Sequence, residues 1–239
     1  MNKESNEFNG PIQEGGRRSP IVKSWRWLLH LGFRLLYNEL AWTYDGVSWL
    51  VSLGRWQDWG KAALPFIRGP SILELAHGPG HMQLALNLEG FQAHGIDLSP
   101  YMSKQARKRI VRNFYPIHLV RGEAQFLPYC HQSFDTVLAT FPTQFIVDPQ
   151  TLENIRRVLK PDGRLVVVIE GRLLGGGPIY RFIEWLFEIT GQRQVDGSDG
   201  PMSDIWMEVD KRLEAAGFKM DLKTIRSEDS EVIIVVADR

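Results

Sequence analysis

The sequence predicts an α/β fold built on an open, mostly parallel sheet, and three features of the chain support this prediction. The stretch 71–88 combines a short apolar strand, a turn that contains glycine, and a segment able to form a helix. Further short apolar runs alternate with helical segments as far as residue 168. Two apolar runs near the end of the chain, over 218–225 and 231–237, fit a terminal antiparallel hairpin.

The first strand–turn–helix unit also predicts where a ligand binds. Residues 72–75 form the strand, and His81–Leu88 forms the helix after the turn. Glycine lets a ligand approach the backbone closely, and the start of the helix offers free N–H groups. The next apolar run, over 91–96, ends in Asp97, whose carboxylate could hold both hydroxyls of a ribose. The unit is therefore predicted to bind a nucleoside.

The glycine turn discriminates between nucleotide-binding motifs. It lacks the G-x-G-x-x-G order of dinucleotide sites, and the chain has no G-x-x-x-x-G-K-[ST] phosphate loop. The turn resembles the first motif of class I S-adenosylmethionine (SAM) methyltransferases, in which an acidic residue precedes G-x-G-x-G. Glu74 stands in the acidic position, and the glycine positions hold Ala76, Gly78 and Gly80. Ala76 departs from the pattern, because the motif has glycine at this position. Alanine is a frequent substitute there in that family.

Three later segments resemble the same family in the expected order. Residues 122–129 resemble its G-D-A-x-x-L-P-F segment, and residues 133–140 resemble the F-D-x-V strand that follows. Residues 155–168 resemble the R-V-L-K-P-G-G-x-L join between a helix and a strand. The matches together cover about 72–168. This resemblance implies a Rossmann-like, seven-stranded, mostly parallel sheet with helices on both faces and a terminal antiparallel hairpin.

The resemblance also implies SAM as the cofactor and S-adenosylhomocysteine (SAH) as its product. Glu123 would face the adenine amino group, Met102 would pack on the adenine ring, and Tyr44 would cover the methionine half. The loop after the fourth strand, which starts at Phe141, would face the sulfonium. The cofactor contacts implied by the resemblance are Tyr44, Glu74, Ala76, His77, Gly78, Gly80, Asp97, Leu98, Met102, Glu123, Ala124, Gln125, Thr140 and Phe141.

Methyl transfer from SAM is an in-line displacement, so the main task of the protein is to position donor and acceptor and to exclude water. It requires no metal, and the six histidines show no metal-binding spacing. A phenol or an activated carbon needs a base, whereas an amine needs only to be neutral. His131 is the histidine considered as a base, and Glu170 and Tyr180 are further candidates. The sequence does not decide among them.

The chain is predicted to divide into a disordered lead-in over 1–20, an N-terminal helical cap over 21–67 and a SAM-binding core over 68–239 with a lid insertion at about 171–202. Polar residues recur at three- and four-residue steps over 23–40 and form one stripe of an amphipathic helix. Five basic residues and no acidic one lie within 17–34, and six of the eight tryptophans lie within 25–59. This helix either docks on the core as a cap or contacts an anionic membrane surface.

The stretch 44–59 resembles the Y-D-x…G-R-x-x-x-W lead-in of methyltransferases that modify ubiquinone and menaquinone precursors. The resemblance implies an acceptor pocket or carboxylate contacts at Trp49, Arg55 and Trp56. The leading prediction is methyl transfer from SAM to a small, lipophilic or aromatic acceptor, with a phospholipid amine as the alternative acceptor. The alternative function is that of a SAM-binding sensor or a non-catalytic partner subunit.

Composition limits the other classes of function. The 28 basic and 28 acidic residues give a formal net charge of zero, so no nucleic-acid partner is predicted. Cys130 is the single cysteine, which excludes an internal disulfide and fits a reducing cytoplasm. No apolar stretch approaches the roughly 20 residues of a membrane-spanning helix. We therefore predict a cytoplasmic protein, with membrane association if the 23–40 helix binds lipid. The sequence gives no information on the oligomeric state.

Overall fold

The computed structural model describes residues 52–174 and 201–239 of the chain. The predictions for the lead-in, for the 23–40 helix, for Tyr44, for Trp49 and for Tyr180 lie outside these residues. Inside them, a seven-stranded sheet is flanked by helices, none of which has both the length and the apolar character needed to cross a bilayer.

The strands of the sheet run in the order β3-β2-β1-β4-β5-β7-β6. In chain order, β1 to β7 span Ser71–Leu75, Gln92–Asp97, Leu119–Arg121, Phe134–Thr140, Leu159–Leu173, Lys219–Arg226 and Ser230–Asp238. The α-helices of the described residues, α1 to α5, span Trp56–Lys61, His81–Leu88, Pro100–Arg112, Pro149–Val158 and Pro201–Ala215. Strands β1 to β5 are parallel, and β7 is antiparallel to both β5 and β6. The predicted Rossmann-like sheet with its terminal hairpin is confirmed.

The strand order reverses at β1, which pairs with β2 on one side and with β4 on the other. The apolar residues of this strand are covered on both faces of the sheet, and Ile72, Leu73 and Leu75 are each 0% exposed. In open α/β sheets, ligands bind beyond the carboxyl ends of the strands at such a reversal. The fold therefore places the turn over 76–80 where a ligand site is expected.

Alternate side chains of the strands enter two apolar cores, one on each face of the sheet. The first core includes Leu73, Leu75, Val137 and Val235 of the sheet, Ile155 of α4 and Leu213 of α5. The second includes Ile72, Leu138 and Val166 of the sheet, Trp59 of α1 and Leu86 of α2. Burial of one large side chain contributes roughly 1.5–3 kcal/mol, so packing holds the helices on the sheet. Helices on both faces were expected and are confirmed.

Two helices begin at the capping residues that stand ahead of them in the sequence. The Ser99 side chain accepts a hydrogen bond of 3.3 Å from the backbone N–H of Met102 in α3. Asp148 accepts hydrogen bonds from the N–H groups of Gln150 at 3.0 Å and Thr151 at 3.1 Å in α4. Such a cap stabilises a helix by about 1 kcal/mol. The cap at Ser99 makes α3 begin directly after the end of β2.

Strand β3 is shorter than the sequence predicts. The prediction runs over 116–121, whereas β3 begins at Leu119. Pro116 has no N–H to donate to the sheet, and β3 is the edge strand beside β2. Pairing with β2 therefore starts only after the proline.

Strand β5 is longer than the predicted 163–170, because it continues to Leu173 and stays paired with β7. Residues 171–173 therefore belong to the sheet rather than to the predicted lid insertion, as residues 201–202 belong to α5. The extension passes beneath α1, and a Cβ built on Gly171 would lie 2.3 Å from the Trp59 ring. The absence of a side chain at Gly171 is what lets α1 rest on β5.

We expect Gly171→Ala to destabilise the protein by about 1–3 kcal/mol, because the new methyl group would displace the buried Trp59 ring. Gly60→Ala in α1 is the matched control, since its Cβ would meet only a methyl group of Thr140 at 3.9 Å. Urea unfolding of both variants measures the difference. Equal stability of the two variants would show that α1 does not depend on this contact.

Candidate functional site

A cleft opens at the carboxyl edge of the sheet, beside the reversal at β1. The space between its walls, together with the solvent-filled part of its mouth, is about 520 Å³. Helix α1, the turn after β1, the start of α2 and the end of β4 form its walls. The residues that line it are Trp56, Gln57, Gly60, Lys61, Glu74, Ala76, His77, Gly78, Pro79, His81, Met82, Thr140 and Phe141.

The turn between β1 and α2 uses left-handed backbone at three alternate positions. The φ angles are +51° at Ala76, +54° at Gly78 and +81° at Gly80. A Cβ on Gly80 would lie 2.6 Å from the Cβ of Ala106, so glycine is needed for α3 to pack there. A Cβ on Gly78 would meet no atom within 4 Å, so the backbone is open on that side. Alanine at position 76 costs about 1–2 kcal/mol of backbone strain relative to glycine.

Asp97 fastens this turn to the neighbouring strands. Its Oδ2 accepts a hydrogen bond of 2.9 Å from the N–H of Gly78, and its Oδ1 accepts one of 2.7 Å from the N–H of Ser99. Its carbonyl oxygen accepts a bond of 3.1 Å from the N–H of Gly122, which follows β3. An ionised carboxylate has about four acceptor positions. Acceptor capacity therefore remains on Asp97 for the hydroxyl groups of a ligand.

A buried polar pair lies beneath the turn. Glu74 is 1% exposed and Gln83 is 0% exposed. The side-chain amide of Gln83 donates to Oε2 of Glu74 at 2.8 Å and to the carbonyl of His94 at 3.0 Å. Burial raises the pKa of Glu74 to about 8, with the charge of Asp97 adding to the rise and the hydrogen bond from Gln83 opposing it. Glu74 is therefore mostly protonated at neutral pH.

His77 is the second buried titratable group of the turn, at 3% exposure. Burial lowers its pKa, while the charge of Asp97 and the contact with Gly78 oppose that effect. Its Nδ1 lies 2.8 Å from the carbonyl oxygen of Gly78, so Nδ1 carries the proton and donates. Its Nε2 is buried and has no hydrogen-bond partner among residues 52–174 and 201–239. The turn thus holds a neutral imidazole with an unused acceptor nitrogen.

Aromatic rings form the opposite wall of the cleft. The ring centroids of Trp56 and Phe141 lie 4.2 Å apart, and those of Trp56 and Trp59 lie 6.4 Å apart. Phe141 has a φ of +51°, and its N–H donates to the carbonyl of Val168 at 2.7 Å. Non-glycine residues in the left-handed region cost about 1–3 kcal/mol and cluster at functional sites. Ala76 and Phe141 face the same cleft from opposite sides.

Some of the predicted cofactor contacts line the cleft, and others lie outside its wall. Glu74, Thr140, Phe141 and the turn residues line it. The residues predicted around the adenine follow β2 and β3 at the same sheet edge but lie outside the cleft wall, namely Leu98, Met102, Glu123, Ala124 and Gln125. Leu98 is 58% exposed, whereas Met102 is only 1% exposed.

Two further predicted residues, His131 and Arg55, also lie away from the cleft wall. His131 is exposed in the turn before β4, at the amino edge of the sheet and opposite the cleft, so its prediction as a base is corrected. The chain crosses from the carboxyl end of β3 to the start of β4, which carries His131 away. Arg55 forms an ion pair with Asp229, in the turn between β6 and β7, rather than facing a ligand.

Glu170 does lie at the carboxyl edge, because it follows Val168, the partner of Thr140 in the sheet. Its carboxylate forms an ion pair of 3.3 Å with Arg172. Its side chain retains 23% exposure, so a proton could reach it from solvent. Of the three predicted bases, Glu170 is the one that the described structure places near this edge.

Sequence reasoning missed several residues of the cleft and of the layer beneath it, namely Gln57, Gly60, Lys61, Pro79, Met82 and Gln83. The four-residue spacing within α1 could have revealed the residues that belong to this helix. Trp56 and Gly60 lie on one face of the helix, and Gln57 and Lys61 also share a face. The contact between Gln83 and Glu74 had no such signal, because it joins a helix to a strand.

Glu74→Gln should change how stability depends on pH. The folded protein holds a proton on Glu74 that the unfolded chain releases above about pH 4.5, so wild-type stability should fall as pH rises toward 8. The loss is about 1.4 kcal/mol for each unit by which the pKa is displaced. The variant should match the wild type near pH 5 and exceed it near pH 8.5, as measured by urea unfolding.

Asp162→Asn is the control, because Asp162 is an exposed carboxylate near the start of β5. This variant should retain the wild-type dependence of stability on pH. If Glu74→Gln also kept that dependence, Glu74 would not hold its proton in the folded protein.

Comparison with known proteins finds a similar domain and similar relatives. Residues 73–167 match the family described as a methyltransferase domain. The chain is 33% identical over 136 residues to the demethylmenaquinone methyltransferase of Clavibacter sepedonicus, a match covering 55% of each protein. It is 31% identical over 163 residues to that of Symbiobacterium thermophilum, covering 64% of this chain and 63% of the relative. The chain thus spans between about half and two thirds of the length of these curated relatives.

The described fold is also similar to solved structures of methyltransferases. A SAM-dependent methyltransferase from Aquifex aeolicus superimposes with a TM-score of 0.51 at 18% identity, covering 78% of this chain and 94% of that one. The glycine turn, the acidic residue after β2 and the β3-β2-β1-β4-β5-β7-β6 sheet accompany the sequence match. Residues 73–167 are thus similar in sequence to a methyltransferase domain, and the described fold is similar to that of a SAM-dependent methyltransferase.

Proposed function

We propose that this protein transfers a methyl group from SAM to a small, lipophilic or aromatic acceptor. The observation that carries the proposal is the cleft itself, which joins the glycine turn held by Asp97 to a wall of aromatic rings. The relatives described above are named for demethylmenaquinone, a quinone with a lipophilic tail. An acceptor ring of this kind suits the wall formed by Trp56 and Phe141.

The residues of the turn fit SAM as the cofactor. Asp97 keeps acceptor capacity for the two ribose hydroxyls, and the open side of Gly78 allows close approach to the backbone. His77 adds a buried, unpartnered nitrogen at the same place. Lys61 lines the cleft and has the charge needed to attract the methionine carboxylate.

The remaining cofactor contacts belong to the same proposal. Adenine would lie against the turn after β3 and the start of α3, near Leu98, Met102, Glu123, Ala124 and Gln125. Glu74, Ala76 and Gly80 would shape the turn from below, and Thr140 and Phe141 would face the reacting centre. Tyr44, expected over the methionine half, lies outside the described residues.

SAM supplies a methyl group bonded to a sulfonium, which is a good leaving group. The protein contributes orientation, because donor and acceptor held in line react far faster than free molecules. An acceptor ring stacked on the aromatic wall would exclude water from the space in front of Thr140 and Phe141. For an acceptor that must lose a proton, Glu170 is the proposed base, since it lies at the same sheet edge.

The proposal places this chemistry in the cytoplasm at a membrane surface. Peripheral contact through residues 23–40 is supported by the basic and tryptophan-rich composition of the neighbouring sequence. Residues 68–239 form the catalytic unit in this proposal, and 21–67 form its cap. A phospholipid amine would also be delivered by such contact and stays as the alternative acceptor.

The test is SAH release by the purified protein with SAM and a panel of quinols, phenols, amines, thiols and lipid vesicles. We expect turnover with one acceptor class and a loss of about 100-fold or more in Asp97→Ala, which loses the hydrogen bonds to Gly78 and Ser99. Asp162→Ala removes an exposed carboxylate at the opposite edge and should keep full activity. Tight SAM binding without turnover on any acceptor would favour the sensor function instead.

Trp56→Ala should separate acceptor binding from cofactor binding. Loss of the ring that stacks on Phe141 should raise KM for an aromatic acceptor about tenfold and leave KM for SAM within about twofold. Leu222→Ala, at an exposed site on β6, controls for loss of apolar surface. A rise in KM for SAM alone would assign Trp56 to the cofactor rather than to the acceptor.

A further inference from the structure

Helix α3 and its flanks form a strongly basic part of a chain whose formal net charge is zero. Residues 98–122 contain no aspartate or glutamate, although the whole chain has equal numbers of acidic and basic residues. The six basic residues of this stretch other than histidine are Lys104, Arg107, Lys108, Arg109, Arg112 and Arg121. None of these six residues lines the cleft.

Four of these cations point into solvent. The side chains of Lys104, Arg107, Lys108 and Arg112 are exposed, and no acidic side chain in the described part of the chain pairs with them. Arg109, in contrast, turns inward and donates to the carbonyl of Pro79 in the glycine turn. The outward charges are therefore available to an external partner.

Apolar side chains stand among these charges. Phe114 is 96% exposed, Leu98 is 58% exposed, Val111 is 50% exposed and Tyr101 is 48% exposed. Single exposed apolar residues are ordinary, but four within one basic segment form a mixed surface. We refer to residues 98–114 as the α3 surface.

The position of Phe114 is fixed by the backbone. It has a φ of +61° at the end of α3, where helices usually place glycine. The N–H of Tyr115 donates to the carbonyl of Ile110 at 3.3 Å, and the N–H of Phe114 donates to that of Val111 at 3.0 Å. A large ring is thus held outward at a strained position that glycine would fill more easily.

The α3 surface runs from the cleft edge along the side of the domain. Positions 101, 104, 108 and 111 follow the three- and four-residue spacing of one helix face. The 13 residues of α3 extend about 20 Å, and the helix begins three residues after Asp97. A partner covering this surface would therefore lie beside the cofactor turn.

We propose that the α3 surface docks on an anionic lipid bilayer. Lysine and arginine are attracted to acidic headgroups, and Phe114 and Val111 can enter the boundary between headgroups and acyl chains. RNA also attracts cations and stacks on aromatic rings, but an exposed aliphatic side chain such as Val111 gains nothing from phosphate. The surface therefore fits lipid better.

The purpose of this docking rests on the proposed function, because the docking brings the domain to the membrane in which a lipophilic acceptor dissolves. Vesicle binding does not require turnover, however. A protein that binds vesicles without methylating anything would refute the proposed function alone, and a protein that methylates without the docking would refute this inference alone.

The test is flotation of the full-length chain with phosphatidylcholine vesicles, either pure or containing about 30% phosphatidylglycerol. We expect binding to the anionic vesicles only, with release as salt rises from about 50 to about 500 mM. The double variant Lys104→Gln/Lys108→Gln should bind at least about tenfold more weakly, because the loss of each charge should weaken vesicle binding roughly fivefold. Phe114→Ala should weaken binding severalfold and leave the salt dependence unchanged.

Lys211→Gln/Lys219→Gln removes the same charge from exposed sites on α5 and β6 and is the matched control. Equal losses in the two double variants, or full vesicle binding by Lys104→Gln/Lys108→Gln, would overturn the proposal. So would tighter binding to poly(U) RNA with the same dependence on Lys104 and Lys108, because the surface would then serve a nucleic acid.

Discussion

The two hydrogen bonds that the Asp97 carboxylate accepts from Gly78 and Ser99 hold the rest of the site in place. One oxygen fixes the left-handed turn after β1, and the other fixes the start of α3. Both bonds depend on the parallel pairing of β1 with β2, which brings the ends of the two strands to one edge. Because a carboxylate can accept further bonds, the group that organises the turn can also receive a ligand.

Beneath that turn, the protein keeps a carboxyl group in an environment that disfavours its charge. Burial raises the pKa of Glu74 to about 8, although the hydrogen bond from Gln83 opposes the rise. Such displaced groups concentrate at functional sites, where stability is given up for chemistry or binding. The left-handed Ala76 and Phe141 are strained at the same cleft. Three local departures from ordinary structure thus surround one space.

The sequence was most informative where local chemistry decides local structure. The turn after β1 and the helix His81–Leu88 were predicted, because glycine acts on the backbone of its immediate neighbours. Contacts between distant segments were not. The extension of β5 depends on pairing with β7, the position of His131 depends on the crossing between two strands, and Lys61 reaches the cleft only through the packing of α1.

The most direct test of the account is a crystal structure of the protein with bound SAH. The account predicts that SAH lies against the turn over 76–80, with both ribose hydroxyls within hydrogen-bond distance of the Asp97 carboxylate and the sulfur facing Phe141. Binding at any other place, or a ribose that does not contact Asp97, would contradict the central claim that this turn and this carboxylate form the cofactor site.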